Sequence, residues 1–296
     1  MKYNFRWNNM QISKLCLLSF LFLTQCDSKN SAERAGKFWK SYSANEMKTV
    51  ILPKELNEIS GLEWVGEDEL WAVEDESGAI FRIDPQTGEI IHKMKFGKNG
   101  DFEDLVVLKG SAYVLKSNGD VYRVENPFGP KIKTTQYEFP NIGKRDMETI
   151  LNSGNGKDLL IVCKECEMDK RAEQASVFKF DLSTLQIDQE PIQKLERKNF
   201  KSLQSNPILK SLRIQPSAAA LHPIEQKFYF ISSTGNWLAI LDLEMNPLEI
   251  HWLDPKIFKQ PEGITFDPTG TLYISNEASG GQANLLIFPY TRVKTE

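Results

Sequence analysis

Glu103, Glu148 and Glu262 hold the same place in three short segments: Asp101-Phe102-Glu103-Asp104-Leu105, Asp146-Met147-Glu148-Thr149-Ile150 and Gln260-Pro261-Glu262-Gly263-Ile264. Carboxylates gathered at one place raise each other's pKa unless a cation or basic side chains compensate. The chemistry that suits such a group is the binding of a hard cation by several oxygens. Calcium fits it better than zinc, because no set of His or Cys accompanies these residues. Glu277, in Ser275-Asn276-Glu277, is the fourth candidate ligand. Three other roles stay open for the same carboxylates: capping strands, accepting hydrogen bonds from loop amides, or pairing with Lys116, Lys164 and Arg145.

Placing these residues together is the work of a repeat. Two further segments, Glu58-Ile59-Ser60-Gly61-Leu62 and Gln215-Pro216-Ser217-Ala218-Ala219, complete a set of five whose central residues are 43, 45, 69 and 45 apart. Each segment is followed by a β-prone run, then a turn, then a second run, as in Ser111–Leu115, Asn118-Gly119 and Asp120–Val124. A module of several antiparallel strands recurring every 40–45 residues or so is the signature of a β-propeller. The expectation is one all-β propeller of five blades, with a degenerate sixth as the alternative. Met47 to Leu52 precede the first repeat and belong to no blade. They are expected to pair with the run ending at Phe288 and so close the ring. The longest interval contains an insertion at about 182–214, expected to form one or two short helices or an excursion over one face.

In a propeller blade the innermost strand runs along the central channel and the second returns antiparallel to it. The start of the first strand and the end of the second therefore meet at one mouth. That register gathers Glu58, Asp101, Glu103, Asp146, Glu148 and Glu262 with Glu74, Asp75, Glu76, Glu165, Asn276 and Glu277.

Other chemistry is sparse. Cys163 and Cys166 have the spacing of a redox pair or half a zinc site, but no second pair exists, and a local disulfide or two unpaired thiols is the plainer reading. His92, His222 and His251 are scattered and read as structural. No His-Glu-x-x-His, Gly-x-Ser-x-Gly or phosphate-binding Gly-Lys-Ser/Thr motif occurs. Trp71, Tyr113 and Tyr273 fall in second strands, where packing between blades accounts for them.

The N-terminus is separate in character. Lys2, Arg6 and Lys14 precede or flank an apolar run from Leu15 to Leu23, too short to span a bilayer in a helix. That is the pattern of a secretory signal. Leu23-Thr24-Gln25-Cys26 closes it in the manner of a lipobox, with Gln25 where a small residue is usual. Residues 1–25 are thus expected to be a lipoprotein signal peptide, 26–46 a lipidated cysteine and flexible tether, and 47–296 the propeller. Losing residues 1–25 removes three positive charges and no negative ones, shifting the net charge from −4 to −7. An acidic domain of this kind is a poor nucleic-acid binder. The expected location is a bacterial cell envelope, outside the cytoplasm, as a lipid-anchored monomer.

The chain resembles the SdiA-regulated (YjiK-like) family of bacterial β-propellers. The resemblance rests on Glu58-Ile59-Ser60-Gly61-Leu62 with Leu70-Trp71-Ala72-Val73, on Asp101-Phe102-Glu103-Asp104-Leu105, and on Gln215-Pro216-Ser217 with Leu221-His222-Pro223 and Ile231-Ser232-Ser233. It is strongest in Gln260 to Asp267 with Gly270 to Glu277, and covers residues 50–290 or thereabouts. It implies a five-bladed propeller, distant kinship to NHL-repeat proteins and a calcium site, and no established enzymatic activity. The chain departs from the pattern at Asp104 and Thr149, where glycine would stand. Two functions follow as expectations. One is an envelope-anchored binding or scaffold protein with a protein or glycan partner. The other is a calcium-dependent hydrolase of phosphoesters or lactones, with Glu103, Glu148 and Glu262 holding the metal and Glu277 acting as base.

Overall fold

Side chains of a strand alternate between its two faces, so a strand buried on both faces must feed two different cores. The second strand of the first repeat, β3 (Glu69–Glu74), does this: Leu70 and Ala72 enter one apolar cluster, while Trp71 and Val73 enter another. In the fourth repeat, β16 (Phe228–Ser232) sends Phe228 and Phe230 one way and Tyr229 and Ile231 the other. Sheets built of such strands must stack side by side, each covering its neighbours.

The structure, a computed structural model, describes residues 40–66, 68–140, 143–203, 209 and 212–292. The expected signal peptide, the lipid site at Cys26 and most of the tether lie outside these residues. Among the described residues there are five antiparallel sheets arranged as five propeller blades. The first joins β2 (Ile59–Gly66), β3, β4 (Ala79–Ile83) and β5 (Ile90–Lys95); the second joins β6 (Phe102–Leu108), β7 (Ser111–Lys116), β8 (Val121–Glu125) and β9 (Lys133–Tyr137). The third contains β10 (Arg145–Asn152), β11 (Asp158–Cys166) and β12 (Gln174–Asp181), and the fourth β15 (Ala218–Leu221), β16, β17 (Trp237–Leu241) and β18 (Pro247–Trp252). The fifth is β19 (Pro261–Phe266), β20 (Leu272–Asn276) and β21 (Asn284–Phe288), completed by β1 (Lys48–Ile51) from the other end of the described chain. Lys48 lies opposite Ile287 and Ile51 opposite Asn284, so the ring closes as the sequence led us to expect. No helix among the described residues is long and apolar enough to cross a membrane.

The core is accordingly a set of wedges between neighbouring blades. One wedge joins the fifth blade to the first through Tyr273, Leu285 and Ile287 against Leu62, Leu70 and Phe81. Trp71, Tyr113 and Tyr273 each fill such a wedge.

The insertion is the point of correction. Among the described residues it makes neither a sixth blade nor a helix at Pro191–Leu195, and most of the second expected segment, 208–212, lies outside them. Instead β13 (Gln186–Ile187) and β14 (Gln193–Glu196) both pair with β12, followed by a 3-10 turn at Arg197–Ser202. The reason is edge pairing. β12 has eight residues, and β13 opposes only Phe180 and Asp181, so the remaining edge takes a second short strand. Phe200, Leu212 and Ile214 then pack into the wedge between the third and fourth blades.

Candidate functional site: an acidic channel mouth

Each inner strand starts beside the end of its partner: Ile59 faces Glu74, Phe102 faces Lys116, Asp146 faces Glu165 and Pro261 faces Asn276. At this point the ladders break step. On β6 the pairing jumps from Phe102–Lys116 to Asp104–Leu115, leaving Glu103 as the extra residue of a β-bulge. On β10 it jumps from Met147–Cys163 to Thr149–Val162, leaving Glu148. On β19 it jumps from Pro261–Asn276 to Gly263–Ser275, leaving Glu262. A bulge residue is unpaired in the ladder and has its side chain re-aimed. Three blades thus present a glutamate by the same device at the same mouth. The fourth and fifth of the ring's central positions are Ser60 and Ser217, both buried.

Carboxylate oxygens of Glu103, Asp146 and Glu148 lie within 4.8 Å of one another. Burial, and then the charges of Glu148, Asp101 and Asp146, push the Glu103 carboxyl far above the usual carboxylate range. Glu148 is raised by burial and by Glu262, against the pull of Lys164. Lys164 Nζ sits 2.7 Å from Glu148 Oε1. Burial works against that ammonium, but Glu148, Glu262 and Asp146 outweigh it and raise its pKa. Glu262 is 8% exposed; burial raises its carboxyl against the pull of Lys164 and of hydrogen bonds from the Ser233, Ser217 and Gln260 side chains, and its buried Oε2 makes no close hydrogen bond. Glu277 accepts a bond from the Gln260 amide and is pushed up to about 8 by burial and by Glu262, Glu58 and Asp75. Asp75 rises to about 6 by burial and by Glu58 and other neighbouring acids. So many buried carboxyls at one mouth favour protonated forms or a neighbouring cation, and Lys164 is one such cation.

Several residues expected at the mouth do other work. Glu74 accepts bonds from the amides of Glu76 and Ser77 and caps the β3–β4 turn. Glu165 accepts from Gln215 and pairs with Arg171 at 3.7 Å. Arg145 donates to the carbonyls of Asn118 and Gly143, not to a carboxylate. Of the three histidines, His222 is fully buried and joins the N-terminal segment to the ring. Its Nδ1 accepts from the amides of Ile224 and Glu225, so the proton is on Nε2, which lies 2.9 Å from Tyr42 Oη. Tyr42 in turn donates to the Gly270 carbonyl at 2.7 Å. His251 bonds Glu249, and His92 packs on Phe128.

Two acids were not among the expected mouth residues, although Asp104 stood out as a departure from the repeat. Asp104, where the repeat would carry glycine, accepts from the amides of Leu105 and Ile150 at 2.8 and 3.0 Å, latching the second blade to the third. Glu63 accepts from Thr265 Oγ1 in a cavity of about 190 Å³ in the channel, and burial raises its carboxyl to about 7. Cys163 and Cys166 form a disulfide beside the mouth, which removes them as metal ligands.

No protein-family profile and no curated protein sequence matches the chain. Among solved structures it is similar to a glutaminyl cyclase from Myxococcus xanthus, at TM-score 0.54 and 9% identity over 83% of this chain and 96% of that one. It is also similar to a streptogramin B lyase, at 0.47 and 11% over 85% and 99% of the two chains. A virginiamycin B lyase from Staphylococcus aureus gives 0.43 and 14% over 84% and 74%. At these identities the likeness is one of fold, and the structural neighbours are β-propellers.

Proposed function

We propose that the chain is a lipid-anchored binding or scaffold protein of a bacterial envelope, of the SdiA-regulated (YjiK-like) kind, with a calcium ion at its acidic mouth. The observation that carries the reading is the repeated bulge that brings Glu103, Glu148 and Glu262 to one mouth from three blades. The donor set fits a hard cation: carboxylate oxygens from several directions, with the buried Glu262 Oε2 making no close hydrogen bond. Glu103, Glu148, Glu262 and Glu277 would hold the ion, which would supply charge neutralisation and a fixed geometry for the loops of that face. A disulfide between Cys163 and Cys166 suits an oxidising compartment, which supports an exported location. A rigid disc with loops on one face suits a protein or glycan partner.

Calorimetric titration with calcium, on the full-length protein in detergent, tests the reading. The wild type should bind, and Glu103→Gln, Glu148→Gln and Glu262→Gln should each weaken binding by about tenfold or more. Absence of binding at millimolar calcium would overturn the metal assignment.

One observation favours a second reading, hydrolysis. Glu277 is held by Gln260 at the edge of the carboxylate group, where a general base would stand if Glu103, Glu148 and Glu262 held the metal. Turnover of phosphoesters or lactones that requires calcium and fails in Glu277→Gln would establish it. No turnover in a broad panel would leave the binding role.

A further inference from the structure

The third blade differs from the others in carrying two opposed bulges in succession. Between the Asp146–Glu165 and Met147–Cys163 pairs, β11 has an extra residue, Lys164. One step further, β10 has its own extra residue, Glu148. Both side chains leave the ladder side by side and meet at 2.7 Å, with side-chain exposures of 21% and 10%. Lysine ammonium is strongly hydrated and its stem is flexible, so nothing intrinsic to the side chain keeps it in such a place. What flanks it is covalent: the Cys163–Cys166 disulfide bridges the end of β11 across Lys164 and Glu165, with Cα atoms 6.0 Å apart. Cys163 is fully buried in the wedge against the second blade, so this strand end is anchored on the core side.

We propose that the Cys163–Cys166 disulfide holds the Lys164 ammonium in the carboxylate ring as its resident cation, and that Lys164 thereby limits how tightly the mouth binds a metal ion. The second half rests on the reading of the mouth as a calcium site. Lys164 engages one oxygen of Glu148 directly and acts on Glu262 of the fifth blade only through its charge, where the buried Oε2 makes no close hydrogen bond. A divalent ion entering the ring must either displace the ammonium from Glu148 or share that carboxylate with it. Removing the ammonium, or loosening the strand end that carries it, frees Glu148 for the metal.

The first half is tested without metal. Full-length protein in detergent is exposed to an amine-acylating reagent, and the rate at Lys164 is read by peptide mass spectrometry against exposed Lys131. The Cys163→Ser/Cys166→Ser variant should label at Lys164 about tenfold faster than wild type, with Lys131 unchanged and the thermal midpoint confirming that the variant is folded. Equal rates would overturn the clasp. If the double variant does not fold, dithiothreitol reduction of the folded wild type supplies the same comparison. The second half is read by calcium calorimetry. Lys164→Met should bind calcium about tenfold more tightly than wild type, and Lys164→Arg should stay close to wild type. The disulfide variant should shift in the same direction as Lys164→Met, and combining the two should add nothing further. Unchanged or weaker binding in Lys164→Met would overturn the competition. If neither wild type nor Lys164→Met binds calcium, the metal reading and the competition both fail, while the labelling comparison alone decides the clasp.

Discussion

At the scale of single residues, two titrating groups pull stability in opposite directions with pH. Burial and neighbouring acids raise Glu277 from 4.5 to about 8, so the folded protein holds that proton more tightly than the unfolded chain. Its contribution is fully present below about pH 4.5 and is lost as pH rises through about 8. The metal-free protein should therefore lose thermal stability over that window, and Glu277→Gln should flatten the loss. His222 is the reverse case. Burial lowers its pKa below 6.5, so its contribution is present above that value and is lost as pH falls below it. Melting curves of His222→Gln should show a weaker acid dependence than wild type below about pH 6.5. Tyr42→Phe removes the hydroxyl that bonds Gly270 and leaves that carbonyl and His222 Nε2 short of a partner, at a cost of about 1–3 kcal/mol by urea unfolding. The roles of the glutamates and of Lys164 differed in how far they could be read from sequence. Repeat register picks out Glu103, Glu148 and Glu262, because equivalent positions in a repeat share an environment. Lys164 was one of three basic residues expected to pair with them, and of these it is the one that meets Glu148, but register alone does not select it. The contact depends on a second bulge, on β11, and an extra residue in one strand leaves no mark in composition or period.

At the scale of elements, the inner strands approach so closely that side chains are excluded at particular points. A Cβ on Gly61 would stand 2.5 Å from the Asp104 Cα of the next blade, and one on Gly263 would stand 2.9 Å from Leu62 Cβ and 3.0 Å from the Ser60 carbonyl. At Gly61 the obstacles are largely backbone, which cannot swing aside, whereas at Gly263 the Ser275 hydroxyl of the same blade comes nearest. Gly61→Ala should cost about 1–3 kcal/mol or more by chemical denaturation, in the manner of an overpacked core. Equal stability to wild type would show that the ring is looser than this. Side-chain latches reinforce the same junctions. Asp104 joins the second blade to the third, Ser217 Oγ donates to Pro261 O between the fourth and fifth, and Thr265 Oγ1 accepts from the Trp64 amide between the fifth and first. The glycine in Ile59-Ser60-Gly61-Leu62 and in Pro261-Glu262-Gly263-Ile264 was readable as a motif, but its reason is the adjacent blade. The Asp104 departure has the same origin: the position faces a backbone, and in the second blade its carboxylate bonds two amides in place of bare proximity. The broken outer strand of the third blade was hidden for another reason. Gln193-Lys194-Leu195-Glu196 has no strong β pattern of its own and becomes a strand because the free edge of β12 needs a partner.

At the scale of the whole molecule, closure makes the two ends of the domain interdependent. β1 supplies the outer edge of the fifth blade, and Tyr42 sits 3% exposed in the wedge between the fourth and fifth blades. Deleting residues 1–52 should uncover the edge of β21 and leave that wedge unfilled. We expect size-exclusion chromatography to show self-association through the bare edge, and unfolding to lose its single sharp transition. A monomer with unchanged unfolding would contradict closure as a stability device. The five-bladed architecture was the most legible property of the chain, because its period is written five times and each copy supports the others. Anchoring belongs to the same scale. Cells given a labelled fatty acid should incorporate it into the wild type and not into Cys26→Ser; equal labelling would refute lipidation at that cysteine.

The central claim is that the acidic mouth is a cation site. A crystal grown in calcium, with anomalous difference density collected at long wavelength, tests it most directly. A calcium site requires a peak in the mouth bonded at about 2.3–2.6 Å by carboxylate oxygens of Glu103, Glu148, Glu262 or Glu277. A mouth containing only Lys164 and water, at calcium concentrations that saturate other sites, would contradict it.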